Sequence, residues 1–211
     1  MTLYVPHYRE DYIGETINHI VDGENIAVFV QPRENVFQSG NTDSAIILGN
    51  GLTRNYPQIQ VLLKANSKKT AEAYKLVYAC NRAVHDDQTY DYYVVKNPVF
   101  MANVKQERLN QIYLPNNVFL AYKNDCNLIP YCSYFDSGAS AAMLAAFDGH
   151  KKVFLIGFDG DTGYGFKTVY DEHYPYTENQ QPFDELSYKD YLYNVMRVYK
   201  DTDFYRIQLD G

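Results

Sequence analysis

Three asparagines stand where a short amide could do chemistry: Asn50 in Gly49-Asn50-Gly51, Asn81 in Cys80-Asn81-Arg82, and Asn97 in Asn97-Pro98. Each follows directly on a run of apolar residues. A carboxamide offers two donors and an acceptor, which suits a ribose hydroxyl or the edge of a base. One such asparagine signals only a turn; three in matching positions point to a shared crevice. Ser137-Gly138 opens an alanine-rich stretch whose first backbone N–H groups, with the Ser137 hydroxyl, would form an anion site at a helix start, or a simple N-cap. Asp159 and Asp161 in Phe158-Asp159-Gly160-Asp161 form a pair able to hold a divalent cation between phosphates; alternatively Asp159 caps its turn and Asp161 is solvated. Tyr164 and Tyr170 could donate hydroxyls to a phosphate. His173 is the candidate general base, because imidazole titrates near neutrality.

The elements that must hold these groups are strands. Ser44–Leu48 (SAIIL) is a buried strand running into the glycines, with a helix expected over 56–64, and the turn then lies at the strand's carboxyl end. The glycines tolerate positive φ and let a backbone come close. The motif is neither GxGxxG, since Arg54 stands where a third glycine would, nor a phosphate-cradling GxxxxGK[ST] loop. Further strands are expected over 26–30, 74–79, 91–96, 118–122, 152–157 and 203–208, and helices over 99–109, 137–147 and 183–199. The run over 152–157 is apolar throughout and reads as central. Residues 177–182 read as a mobile loop and a lid. Together these give an α/β fold: a Rossmann-like open, mainly parallel sheet with helices on both faces. The chain is a single domain over 1–211, with 1–43 an N-terminal extension or edge strand, 44–165 the nucleotide-binding core, and 166–211 the lid loop, last helix and last strand.

Bulk properties narrow the function classes. The 211 residues carry a net charge of −7, which argues against wholesale binding of nucleic acid or an anionic membrane. No apolar run approaches the roughly 20 residues of a membrane span, and the N-terminus has no signal-peptide pattern. Three cysteines, Cys80, Cys126 and Cys132, cannot all pair and lack zinc spacing. They read as free thiols in the cytoplasm. Tyrosine is abundant, with 22 residues and no tryptophan, and its flat face and hydroxyl suit sugars and bases.

In order and approximate spacing, Gly49-Asn50-Gly51, Cys80-Asn81-Arg82, Asn97-Pro98, Ser137-Gly138 and Gly157-Phe158-Asp159 resemble the GNG, CNQ, NP, TSG and GID of the bacterial lipooligosaccharide sialyltransferases. The same skeleton is similar to a wider group with hydroxymethylpterin pyrophosphokinase-like and short phage-borne members. The resemblance covers roughly 44–165. It implies a modified Rossmann sheet and a nucleotide-linked donor such as CMP-sialic acid, used without a metal or other cofactor. By position, Asn50 and Gly51 would approach the donor, Asn81 the nucleotide, Asn97 the donor sugar or phosphate, and Ser137 with Gly138 the sugar or base. Gly49, Arg82 and Asp159 complete the expected substrate-binding set. Tyr164 would match one of two phosphate-binding tyrosines; Gly160 or Asp161 stands at the other. His173 lies near the place of the family's catalytic histidine, and Tyr176 aligns closer to it. The expected activity is glycosyl transfer by direct displacement, from a nucleotide sugar to a glycan or other hydroxyl acceptor. The alternatives are a magnesium-dependent pyrophosphokinase or nucleotidyl transferase using Asp159 and Asp161, and a non-catalytic nucleotide-binding module. A homo-oligomer is compatible with all three.

Overall fold

A computed structural model describes residues 2–5, 11–21, 23–32, 43–68, 74–122, 124–131, 135–159, 169–170 and 185–208. Its centre is a seven-stranded sheet made of β4 (Ser44–Leu48), β5 (Leu76–Cys80), β6 (Tyr92–Val94), β7 (Ile112–Leu114), β8 (Asn127–Leu128), β9 (Lys152–Ile156) and β10 (Asp203–Arg206). The spatial order is β10-β9-β4-β5-β6-β7-β8, and every neighbouring pair is parallel. Parallel strands need covering on both faces. β4 accordingly buries all five of its residues. Its alternate side chains feed two cores. Ile46 and Leu48 join Ile59 and Leu63 of α1 (Pro57–Ser67). Ala45 and Ile47 face Ala139, Ala142 and Met143 of α3 (Ser137–Phe147), behind which Leu192 and Val195 of α4 (Glu185–Val198) close the layer. The expected open Rossmann-like α/β sheet with helices on both faces is the observed architecture.

Several elements differ from expectation. Residues 118–122 are not a strand. Pro115, with extended backbone, starts the short helix α2 (Asn116–Phe119) instead. The helix expected over 99–109 is two 3₁₀ turns, Pro98–Met101 and Gln106–Gln111; Asn103, at φ 60°, interrupts any continuous helix between them. β9 is apolar but not central. It lies one place from the edge, between β4 and β10. The strand expected over 26–30 falls within β3 (Glu24–Pro32), which pairs with β1 (Thr2–Val5) and β2 (Thr16–Val21). These form a separate three-stranded sheet rather than an edge of the main one. Leu3, Val28 and Val30 pack into the core on the α1 face. His19 Nε2 and Ile129 O are 3.0 Å apart, and Asn116 Nδ2 donates to Ile20 O, which ties this sheet to the β8 end.

Candidate functional site

The register brings the three asparagines to one rim. Leu48 pairs with Ala79, and Cys80 pairs with Val94. Asn50 and Asn81 therefore each lie two residues beyond paired positions of β4 and β5, and Asn97 lies three beyond the paired end of β6. All three sit at carboxyl ends of adjacent parallel strands, the usual place for ligands on an open α/β sheet.

Asn81 is the hub. Its backbone is left-handed (φ 47°), a conformation asparagine tolerates better than most residues. Its Nδ2 donates to Ser137 Oγ at 3.0 Å. Its Oδ1 accepts from Lys96 N at 2.9 Å and, at 3.4 Å, from Asn97 N. One side chain thus joins β5, the turn after β6 and the start of α3. Asn97 itself caps the next 3₁₀ turn, its Oδ1 accepting from Val99 N at 3.1 Å. The Cys80 thiol lies beneath, 3.6 Å from Ser137 O. Burial pushes its pKa up to about 12, so it is a packing group and not a nucleophile.

The glycine turn packs closely against the turn after β9. Gly49 N donates to Ile156 O at 2.8 Å and Gly51 N to Gly157 O at 2.9 Å. A Cβ on Gly49 would lie 2.6 Å from Gly157 O, and one on Gly51 2.5 Å from Asp159 Oδ2. The close approach that these glycines permit is therefore between the turns after β4 and β9. Asp159 is committed in the same place. Its Oδ2 accepts from Thr53 N at 2.7 Å and its Oδ1 from Thr53 Oγ1, so it caps the 3₁₀ turn Leu52–Asn55. Asp161, the other half of the metal alternative, lies outside the described residues. Among the described residues no cluster of three or more His, Cys, Asp or Glu side chains has metal-binding geometry.

The start of α3 is also occupied. Asp136 is the N-cap, its Oδ1 accepting from Ala139 N at 2.8 Å. Burial raises its carboxyl pKa, opposed by the N–H groups of Ala139 and Gly138 and by Lys96. The first-turn donors read as an anion site thus already face a carboxylate of this chain. Gly138 is needed for another reason. Its Cβ would lie 2.8 Å from the ring of Phe158.

A second cluster was not legible as a site. Arg54, 5% exposed, forms an ion pair with Asp86 and donates to Tyr170 Oη at 2.7 Å, Tyr90 Oη at 3.0 Å and Asn50 Oδ1 at 3.5 Å. Burial opposes its charge, but the Tyr170 and Tyr90 oxygens and Asp86 outweigh that and raise its pKa. Tyr170 Oη in turn donates to Asp86 Oδ1 at 2.5 Å, and Val169 N donates to Asn50 O at 2.8 Å. The pair Val169-Tyr170 is thereby tied over the glycine turn. The Arg82 guanidinium lies 5.9 Å from the Tyr170 ring centroid. Among the described residues it has no carboxylate partner. Arg54, Asp86 and Tyr90 carried no site reading in the sequence; the available signal was the acidic pair Asp86-Asp87 closing the same turn as Asn81. Tyr164 and His173 lie outside the described residues, as do Cys132 and the expected lid.

No membrane-crossing helix occurs among the described residues. No family model and no curated protein matches the chain. Among solved structures, the chain is similar to the crystal structure of the monofunctional alpha-2,3-sialyltransferase Cst-I from Campylobacter jejuni. The TM-score is 0.52 at 18% identity, over 84% of this chain and 80% of that one. At that identity, what the two chains have in common is the fold.

Proposed function

We propose that this chain is a nucleotide-sugar-dependent transferase of sialyltransferase-like type. The observation that carries the reading is the position of Asn50, Asn81 and Asn97 at the carboxyl ends of adjacent strands, with Asn97 and Ser137 joined through Asn81, in a fold similar to that of a sialyltransferase. Asn81, Ser137 and Asn50 line the donor side. Arg82, lacking a carboxylate partner among the described residues, supplies the positive charge for the donor phosphate, with Tyr164 assisting as charge develops on the departing group. His173 accepts the proton of the acceptor hydroxyl, which displaces the nucleotide directly. No metal is required in this reading. The acceptor is a glycan or another hydroxyl compound. The engagement of Asp159 with Thr53 removes one ligand from the magnesium-dependent alternative.

Calorimetry with CMP, UMP, GDP, ATP and CMP-sialic acid, with and without magnesium, tests the reading. A metal-independent preference for one nucleotide is expected. Arg82→Ala should weaken that nucleotide by roughly 10- to 150-fold, as expected for loss of a charge-assisted contact worth roughly 1.5–3 kcal/mol. His173→Ala should abolish turnover and leave nucleotide affinity intact. Binding that requires magnesium would favour the pyrophosphokinase class, and nucleotide binding without donor turnover would favour a binding module.

A further inference from the structure

The 3₁₀ turn Asn81–His85 ends on a histidine that the proposed mechanism does not use. Within the turn Ala83 and Val84 are buried, whereas Arg82 and His85 are half-exposed. Side chains three residues apart in a 3₁₀ turn lie one above the other. Arg82 and His85 therefore share the outward side of the turn, at the carboxyl end of β5. The neighbouring turn, Pro98–Met101, which follows β6, fixes the imidazole. His85 Nε2 lies 2.9 Å from Phe100 O. A carbonyl can only accept, so Nε2 carries a hydrogen. In the neutral ring Nδ1 is then a bare acceptor. In the imidazolium Nδ1 becomes a second donor, and the bond to Phe100 is kept.

The charges facing this ring are mainly positive. Arg82 and Asp86 flank it from its own segment, and Arg108 faces it from the turn Gln106–Gln111. The Arg108 guanidinium donates to neutral oxygens, Val84 O at 2.5 Å and Thr89 Oγ1 at 3.5 Å. The Asp86 carboxylate is shared with Arg54 and Tyr170. Burial lowers the His85 pKa below its ordinary value. The Phe100 carbonyl and Asp86 oppose that shift, and Arg82 and Arg108 add to it. The ring is therefore neutral at pH 7 in the unliganded chain.

We propose that Arg82 and His85 together hold the phosphate of the bound nucleotide, and that His85 takes up a proton as the phosphate arrives. The inference rests on the nucleotide-sugar reading and adds a residue and a proton to its phosphate contact. A phosphate oxygen facing both side chains offsets the repulsion that keeps the ring neutral. The Nδ1–H then donates a charge-assisted hydrogen bond to that oxygen. Protonation and binding favour each other reciprocally. Nucleotide affinity therefore rises as pH falls through the titration of the liganded ring, and levels off below that of the free ring.

The test uses the whole chain and the tightest binder among CMP, UMP, GDP, ATP and CMP-sialic acid. Calorimetry is run from pH 6 to 8.5 in buffers of different ionisation heat, which reports proton uptake. A nucleoside monophosphate itself titrates near pH 6, so the parent is compared with His85→Gln. Glutamine can still donate to Phe100 O but cannot take a proton. The parent should take up a proton that the variant does not. The two should bind alike at pH 8.5, and His85→Gln about tenfold more weakly at pH 6. The His85 ring resonance in the parent should titrate at a higher pH with ligand than without, a measurement independent of whether the variant folds. Identical pH dependence of parent and variant, or a ring titration unmoved by ligand, would overturn the inference and leave the transferase reading standing. Failure of all five compounds to bind at any pH would remove both.

Discussion

At the scale of single residues, the rim is held by side chains that each serve several elements. Asn81 combines a left-handed backbone with three hydrogen bonds. Asn81→Gly keeps the backbone conformation and loses the bonds; Asn81→Ala loses both. Hydrogen bonds of this kind contribute about 0.5–1.5 kcal/mol each, and a left-handed alanine costs a further 1 kcal/mol or so. Asn81→Ala should therefore be less stable than Asn81→Gly in urea denaturation, and both less stable than the parent by about 2 kcal/mol or more. Equal stability of the two variants would show that the backbone conformation is not what selects asparagine. Arg54 is a harder constraint. Arg54→Met leaves the Asp86 carboxylate half-buried beside two tyrosine hydroxyls, and breaking such a pair from one side costs about 3 kcal/mol. Arg54→Met combined with Asp86→Leu removes both charges and should recover a large part of that loss. A double variant as unstable as the sum of the single ones would mean that the two residues do not act as a pair.

At the scale of elements, α3 shows how a local signal can be right about position and incomplete about chemistry. Its bounds, 137–147, follow from its small residues and the Asp136-Ser137-Gly138 start, and the structure has the same bounds. The same three residues suggest an anion site, yet the Asp136 carboxylate takes the Ala139 N–H. Asp136→Ala should cost about 1 kcal/mol, as other cap deletions do, and the exposed first-turn donors should then bind inorganic phosphate more tightly than the parent does. Calorimetry with phosphate checks this; unchanged affinity would mean that the donors are shielded by something other than Asp136. Legibility followed the same division elsewhere. β4, β5 and β9 carry unbroken apolar runs and were readable, whereas β7 and β8, with three and two residues, are too short to show a period. Val118 and Phe119 are apolar because α2 buries them, and a short buried helix looks like a strand in sequence. The asparagines were readable because each is fixed by its own strand end. The Arg54 cluster was not, because it is assembled by tertiary packing from positions 32, 36 and 116 residues away.

At the scale of the whole molecule, the abundance of tyrosine has a consequence for stability. Many of the rings are interior: Tyr74, Tyr78, Tyr90, Tyr92, Tyr93 and Tyr113 are all buried. Burial raises the pKa of the Tyr90 phenol to about 12 and moves those of Tyr74, Tyr93 and Tyr170 upward as well. The Cys80 and Cys126 thiols are raised by burial to about 12 from an ordinary 9.0. Each group holds its proton in the folded chain at a pH where the unfolded chain has released it. The folded state therefore binds more protons than the unfolded one from about pH 9 upward, and stability must fall as pH rises there. The contribution is fully present below the unfolded values and is lost as pH passes through the folded ones. Each group adds a slope of at most about 1.4 kcal/mol per pH unit, and six acting together exceed the stability of an ordinary domain of 5–15 kcal/mol within a few units. The urea midpoint should hold steady from these groups between pH 7 and 8.5, decline above pH 9, and vanish into cooperative alkaline unfolding before pH 12. Cys80→Ala with Cys126→Ala should flatten the first part of the decline, because thiols titrate before phenols in the unfolded chain. A midpoint that stayed level to pH 11 would show that water reaches these hydroxyls and thiols, and that the two cores flanking the sheet are not closed as described.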